Sequence, residues 1–219
     1  RDVFNGRPFK RLRPTAFALN SVFGERVNDS RYKKTFKDTW RCNSPGSFNT
    51  AFDNSKARVT FALGDTTIFI PGYEMSQAER ATKKYQVLVP SKYDEALFPT
   101  LQKFFDTKRS DRTEPRGSRD YFVWRLADIY LMRAEANLQL GKKAEAVADV
   151  NMVRERAAFP GKKDAMKITA DQLTFDFLVD ERARELAGEQ TRWLDLKRWG
   201  LIVDRVKKHN PQASAVAEK

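Results

Sequence analysis

Glu181, Glu185 and Glu189 stand four residues apart, a spacing that puts three carboxylates on one face of a helix. Carboxylates so placed can hold a metal, but the dinuclear sites of helical folds draw on Glu-x-x-His, and no histidine accompanies these three. Arg182, Arg184 and Arg192 are interleaved with them instead. Guanidinium groups neutralise carboxylates through paired hydrogen bonds. The pattern therefore predicts a structural ion-pair network of Glu181, Glu185, Arg192 and Asp195, with neither metal nor cofactor. A turn at Gly188 would fold Arg192 and Asp195 back against the two glutamates.

Other chemistries find little to work with. His209 is the only histidine and Cys42 the only cysteine. Multi-histidine and cysteine-rich metal sites and internal disulfides are excluded, and a Ser-His-Asp or Cys-His arrangement would have to use His209. Glycoside hydrolysis needs only two carboxylates, so it stays open as an alternative, although no spacing singles out a pair. Gly-x-x-x-x-Gly-Lys is absent, and Gly161-Lys162-Lys163 is a basic turn.

Aromatic residues give a second constellation. Tyr32, Trp40, Phe48, Phe52 and Tyr73 lie among Asn, Ser, Asp and Arg. Flat rings flanked by polar donors suit a sugar, with C–H groups on one face and hydroxyls at its rim, and they suit stacked nucleobases equally. The competing reading is that most of these rings are core. Trp40, with Asp38, Arg41 and Asn43 around it, is the leading candidate for ligand contact, followed by Tyr32, Phe48, Tyr73, Arg41 and Asn43.

Two textures must position these groups. Residues 1–120 are broken by Asn43-Ser44-Pro45-Gly46-Ser47, Pro71-Gly72, Pro90-Ser91, Pro99 and Pro115-Arg116-Gly117-Ser118, and read as a loop-rich, ligand- or partner-facing part. Val59–Leu63 and Thr66–Ile70, separated by Gly64-Asp65, predict a hairpin. Tyr85–Val89 predicts another strand, and a short helix is expected near Glu95–Phe105. Residues 121–219 are helical in pattern and continuous with the first part. Trp124, Ala127, Leu131, Ala134 and Leu138 define one helix, and Leu126, Ile129, Tyr130 and Met132 widen its apolar face enough to predict central burial. Leu140-Gly141 ends it. Ala144, Val147, Val150 and Val153 define a second helix, so short a link making the two antiparallel. Thr169-Ala-Asp-Gln172 fits a capping box opening the next helix. Further helical segments are expected around Trp193–Trp199 and from Leu201 towards His209, with a loose tail after Pro211.

Composition bounds the classes. In 219 residues, 41% hydrophobic content argues for a packed core despite 32% charged residues. The net charge of +12 is unevenly spread: residues 1–60 hold 13 Lys and Arg against 5 Asp and Glu. Such a basic region can steer any anionic partner. No run of about 18 apolar residues offers a membrane span. The opening Arg1-Asp2-Val3 reads as that of a processed chain or an internal fragment.

Three ordered motifs in the helical half carry a family resemblance. Trp124-Arg125-Leu126-Ala127-Asp128-Ile129-Tyr130-Leu131-Met132-Arg133-Ala134-Glu135-Ala136 comes first. Asn151-Met152-Val153-Arg154-Glu155-Arg156-Ala157 follows. The run from Glu181-Arg182-Ala183-Arg184-Glu185-Leu186 through Arg192-Trp193-Leu194-Asp195-Leu196-Lys197-Arg198-Trp199 is last. Asp29-Ser30-Arg31 precedes them as a D-x-R. Together they resemble the C-terminal region of the SusD/RagB family, surface glycan-binding lipoproteins of Bacteroidota.

The resemblance implies a mainly α fold of tetratricopeptide-like helical hairpins, with an irregular region carrying short β-hairpins. It further implies a non-enzymatic, outer-membrane, cell-surface lipoprotein, held by a lipid anchor outside this chain. Such a protein captures oligosaccharide, or peptide, and delivers it to a SusC-like TonB-dependent transporter. A structural or assembly subunit without ligand is the alternative that the basic first quarter favours, and nucleic acid is a distant third partner.

Overall fold

The computed structural model describes residues 12–49, 58–94, 97–111, 113–114, 116–121 and 123–217. Arg7, Lys10, Arg11, Phe52 and Pro115 lie outside the described residues, as does the start of the helix expected near Glu95. A π-helical turn, Ala18–Val22, precedes helix α1 (Arg31–Thr35). Short strands follow: β1 (Phe36–Lys37), β2 (Thr39–Arg41), β3 (Gly46–Phe48), β4 (Val59–Phe61) and β5 (Thr66–Phe69). Next come α2 (Gln77–Ala81), β6 (Gln86–Val87) and β7 (Thr100–Leu101). The rest is helical: α3 (Leu126–Gln139), α4 (Lys143–Ala157), α5 (Lys163–Met166), α6 (Phe175–Glu185), α7 (Arg192–Arg198), α8 (Ile202–His209) and α9 (Pro211–Ala217). The architecture is mainly α, with a few short strands in small sheets.

The chain forms two compact units, residues 1–20 with 36–116, and residues 21–35 with 117–219. In the first, β2, β5 and β6 make a three-stranded sheet, while β3–β4 and β1–β7 are separate antiparallel pairs. The expected hairpin between the 59–63 and 66–70 segments does not form. Gly64 takes φ +84°, the Asp65 carboxylate accepts from Ala62 N at 3.0 Å, and Cys42 N donates to the Asp65 carbonyl at 2.7 Å. That turn, tied to Cys42, sends β4 to β3 and β5 to β2. Leu88 N bonds the Phe69 carbonyl as β6 runs parallel to β5, within the predicted 85–89 strand. No helix occupies the described part of residues 95–105; Pro99 removes an amide donor there, and Thr100–Leu101 pairs with Phe36–Lys37.

The second unit is built on the α3–α4 hairpin. Gly141, at φ +74°, takes the left-handed turn that ends α3. Ala127, Leu131 and Ala134 of α3 pack with Ala146, Val150 and Val153 of α4, and Ile168, Leu173 and Leu178 complete the core. Central burial of α3 is not observed: Leu126 is 69% and Ile129 47% exposed, so one face alone is buried. The capping box at Thr169 is a turn rather than a helix start. Its hydroxyl and amide both meet the Gln172 side-chain oxygen, while α6 begins six residues on, where Thr174 Oγ1 accepts from Phe177 N at 3.1 Å. Beyond His209 the chain forms α9, because Pro211 suits a first helical position and Asn210 Oδ1 accepts from Ala213 N at 3.2 Å.

Candidate binding site

Strand β2 brings Arg41 to the wall of a cleft of about 320 Å³ in the first unit, within the roughly 300–1,000 Å³ range of small-ligand sites. The β2–β5 register slips between Trp40 and Arg41, and the bulge leaves Thr67 opposite no strand partner. Thr67 Oγ1 donates to the Trp40 carbonyl at 3.0 Å, a side-chain tie across the two strands at the bulge. Bulges re-aim side chains, and here the slip falls at the residue that lines the cleft. Phe48, 47% exposed, and buried Phe61 come from the paired strands β3 and β4. Asn43 and Asn49 come from the turns flanking β3, and Gln86 from β6. Two rings, three amides and one guanidinium thus converge on one cavity.

The sequence candidates divide. Arg41, Asn43 and Phe48 line the cleft; Trp40, Tyr32 and Tyr73 do not. Trp40 is half-buried on β2, with Lys37 Nζ 5.7 Å from its ring centroid. Tyr73, 48% exposed, meets Phe69 edge to face. Tyr32 belongs to the other unit, is 6% exposed, and lies beneath the Arg26 guanidinium, 3.7 Å from the ring centroid. Its ring is covered, so it offers no platform. Phe61 and Gln86 were missed, because a short strand of alternating residues gives no sign of which neighbour it will pair with.

The carboxylates and arginines of the helical half assemble in the second unit. Glu181, wholly buried on α6, meets Arg31 at 2.7 Å, Arg154 at 2.9 Å and Arg184. Burial alone would raise its pKa; the charges of Arg31, Arg184 and Arg154 outweigh that and hold it at about 2. Glu185 accepts from Arg31 at 3.2 Å, Arg125 at 2.6 Å and Arg156, and Glu189 pairs with Arg125 at 2.7 Å. Arg31 also clasps Asp29. Burial opposes its charge, but Glu181, Asp29 and Glu185 together raise its pKa above the ordinary arginine value.

Across the Gly188 turn, Arg182 Nε reaches Asp195 at 2.8 Å while its Nη1 lies 2.9 Å from Asp128. Arg198 and the Trp199 indole then engage Glu135. Arg192, expected to pair with a carboxylate, instead donates to the Val179 carbonyl at 2.8 Å. The reason is register: Arg182 occupies Asp195, and Arg205 occupies Asp180 on the same helix. Asp29 and Arg31 were legible only as a D-x-R. Nothing in their spacing shows that a residue 150 positions from Glu181 would complete its shell.

Tight helix pairs latched by buried arginine–carboxylate clusters in one unit, and a ligand-sized cleft in an irregular other, define a tetratricopeptide-like scaffold of the SusD type. The SusD family model matches residues 25–218, and the chain belongs to that family. Among curated proteins it is similar to SusD-like protein P25 of Formosa agariphila, 38% identical over 109 residues, which is 50% of this chain and 21% of that protein. SusD-like protein P38 of the same organism is 37% identical over 87 residues, 37% of this chain and 17% of that protein. The matched stretch therefore spans about a fifth of the length of these relatives.

Proposed function

We propose that this chain is the ligand-handling part of a non-enzymatic, cell-surface lipoprotein of the outer membrane. It captures oligosaccharide and delivers it to a SusC-like TonB-dependent transporter. Membership of the SusD family supports the reading, and the observation that carries it is the cleft formed by Phe48, Phe61, Asn43, Asn49 and Gln86. Rings against the C–H face of a sugar, with amides at its hydroxyl rim, are the chemistry such a ligand requires. Its described lining holds no pair of carboxylates of the kind that protonates and hydrolyses a glycosidic bond, which favours capture over turnover. The buried ionic clusters of the second unit are scaffold in this account.

Isothermal titration of the chain against a panel of neutral and charged oligosaccharides and short peptides tests it. Saturable binding of a glycan, recovered chemically unchanged, is the expected result. Binding of peptides alone would move the ligand class. Release of shortened glycan, abolished by one carboxylate substitution, would replace capture with hydrolysis. Silence across the whole panel would leave a structural subunit as the better description.

A further inference from the structure

Among the described residues, the wall of the first unit's cleft holds one ionic group, the Arg41 guanidinium. Arg41 Nη1 donates to the Gly64 carbonyl at 3.1 Å, and among the described residues no carboxylate lies within ion-pair distance of its guanidinium. The Gly64 bond uses one guanidinium donor and leaves Nε and Nη2 for an outside acceptor. Asp65, the next residue, is already committed: its carboxylate holds Lys84 Nζ at 2.9 Å and Ala62 N at 3.0 Å. Asn43, Asn49 and Gln86, the other strong polar groups of the lining, are uncharged amides.

We infer that the cleft takes an anionic saccharide, one whose rings carry carboxylate or sulfate, and that Arg41 is the residue that selects the anion. The inference rests on the glycan-capture reading above. Three physical arguments carry it. A planar guanidinium matches two oxygens of a carboxylate or sulfate at once, a geometry that an uncharged hydroxyl cannot use fully. A neutral sugar covering Arg41 would strip water from a cation and return no countercharge, so the same residue penalises the wrong ligand. The unit reinforces the sign, since its described residues carry 12 Lys and Arg against 8 Asp and Glu. Phe48 and Phe61 supply ring contact that does not depend on charge.

Chemically matched pairs test this. The full chain is titrated with oligogalacturonate and its fully methyl-esterified form, and with a sulfated galactan oligosaccharide and the same backbone desulfated. In at least one pair the anionic member should bind roughly tenfold tighter or more, and the preference should shrink as salt rises. The pair that discriminates identifies carboxylate or sulfate as the anion. Arg41→Gln, with an unchanged melting temperature, should abolish the preference, weakening the anionic member and relieving the penalty on the neutral one. Arg41→Lys should restore only part of it, and Phe48→Ala should weaken both members alike. Equal affinities within both pairs, or a preference that survives Arg41→Gln, would overturn the anion assignment and leave glycan capture standing. Failure of all four probes, together with every neutral glycan of the wider panel, would overturn both.

Discussion

Arg31 and Glu181 lie 150 residues apart in sequence and meet at 2.7 Å with both side chains buried. The pair ties the start of α1 to the middle of α6. Because Arg31 also serves Asp29 and Glu185, its removal would take a guanidinium from three carboxylates at once. Glu181 would be left to Arg154 and Arg184, Glu185 to Arg125 and Arg156, and Asp29 with no ion pair among the described residues. Breaking one partner of a buried ion pair costs about 3–5 kcal/mol. Arg31→Ala should therefore lower the denaturation midpoint by that order, the largest loss among single arginine substitutions. Chemical denaturation monitored by circular dichroism measures it.

Arg192→Ala should cost less. Its guanidinium satisfies one carbonyl, that of Val179, and a lost charged hydrogen bond is worth about 1.5–3 kcal/mol. The same denaturation series ranks it against Arg31→Ala; an equal or greater loss would place Arg192 inside the ionic cluster after all.

Acid should loosen the second unit through Glu181. Its pKa is depressed to about 2 in the folded chain from an ordinary value of 4.5, so its contribution is complete above about pH 4.5 and disappears as pH falls towards 2. A depression of that size corresponds to about 3 kcal/mol. Melting temperatures taken between pH 6 and pH 2 should fall across this window. Glu181→Gln should start lower at pH 6 and change less within it.

The apolar core obeys a different rule. Leu131 is fully buried between α3 and α4, and Leu131→Ala should cost about 2–5 kcal/mol, without the acid dependence of the Glu181 variant. Thermal melts at two pH values separate the two kinds of loss.

What the sequence made legible follows the range of the forces involved. The α3–α4 hairpin was readable because its apolar spacing and Gly141 are local signals. The pairing of β4 with β3 was not, because the deciding bonds run from the Gly64-Asp65 turn to Cys42, about twenty residues back in the chain. Arg41, Asn43 and Phe48 were chosen for residue type, yet only the strand pairing brings them to one cavity. Tyr32 was chosen on the same grounds and lies covered by Arg26 in the other unit. Residue chemistry nominates candidates; non-local pairing decides which of them meet.

The central claim is that the irregular unit captures glycan and the ionic helices only support the fold. The direct measurement is the dissociation constant of one glycan from the panel, determined by titration for the parent chain, Phe48→Ala and Arg192→Ala. The account predicts that Phe48→Ala melts like the parent and binds about tenfold more weakly or worse, whereas folded Arg192→Ala binds like the parent despite its lower stability. Parent-like binding by Phe48→Ala, together with loss of binding in a stable Arg192→Ala, would contradict it and move the site to the final helices.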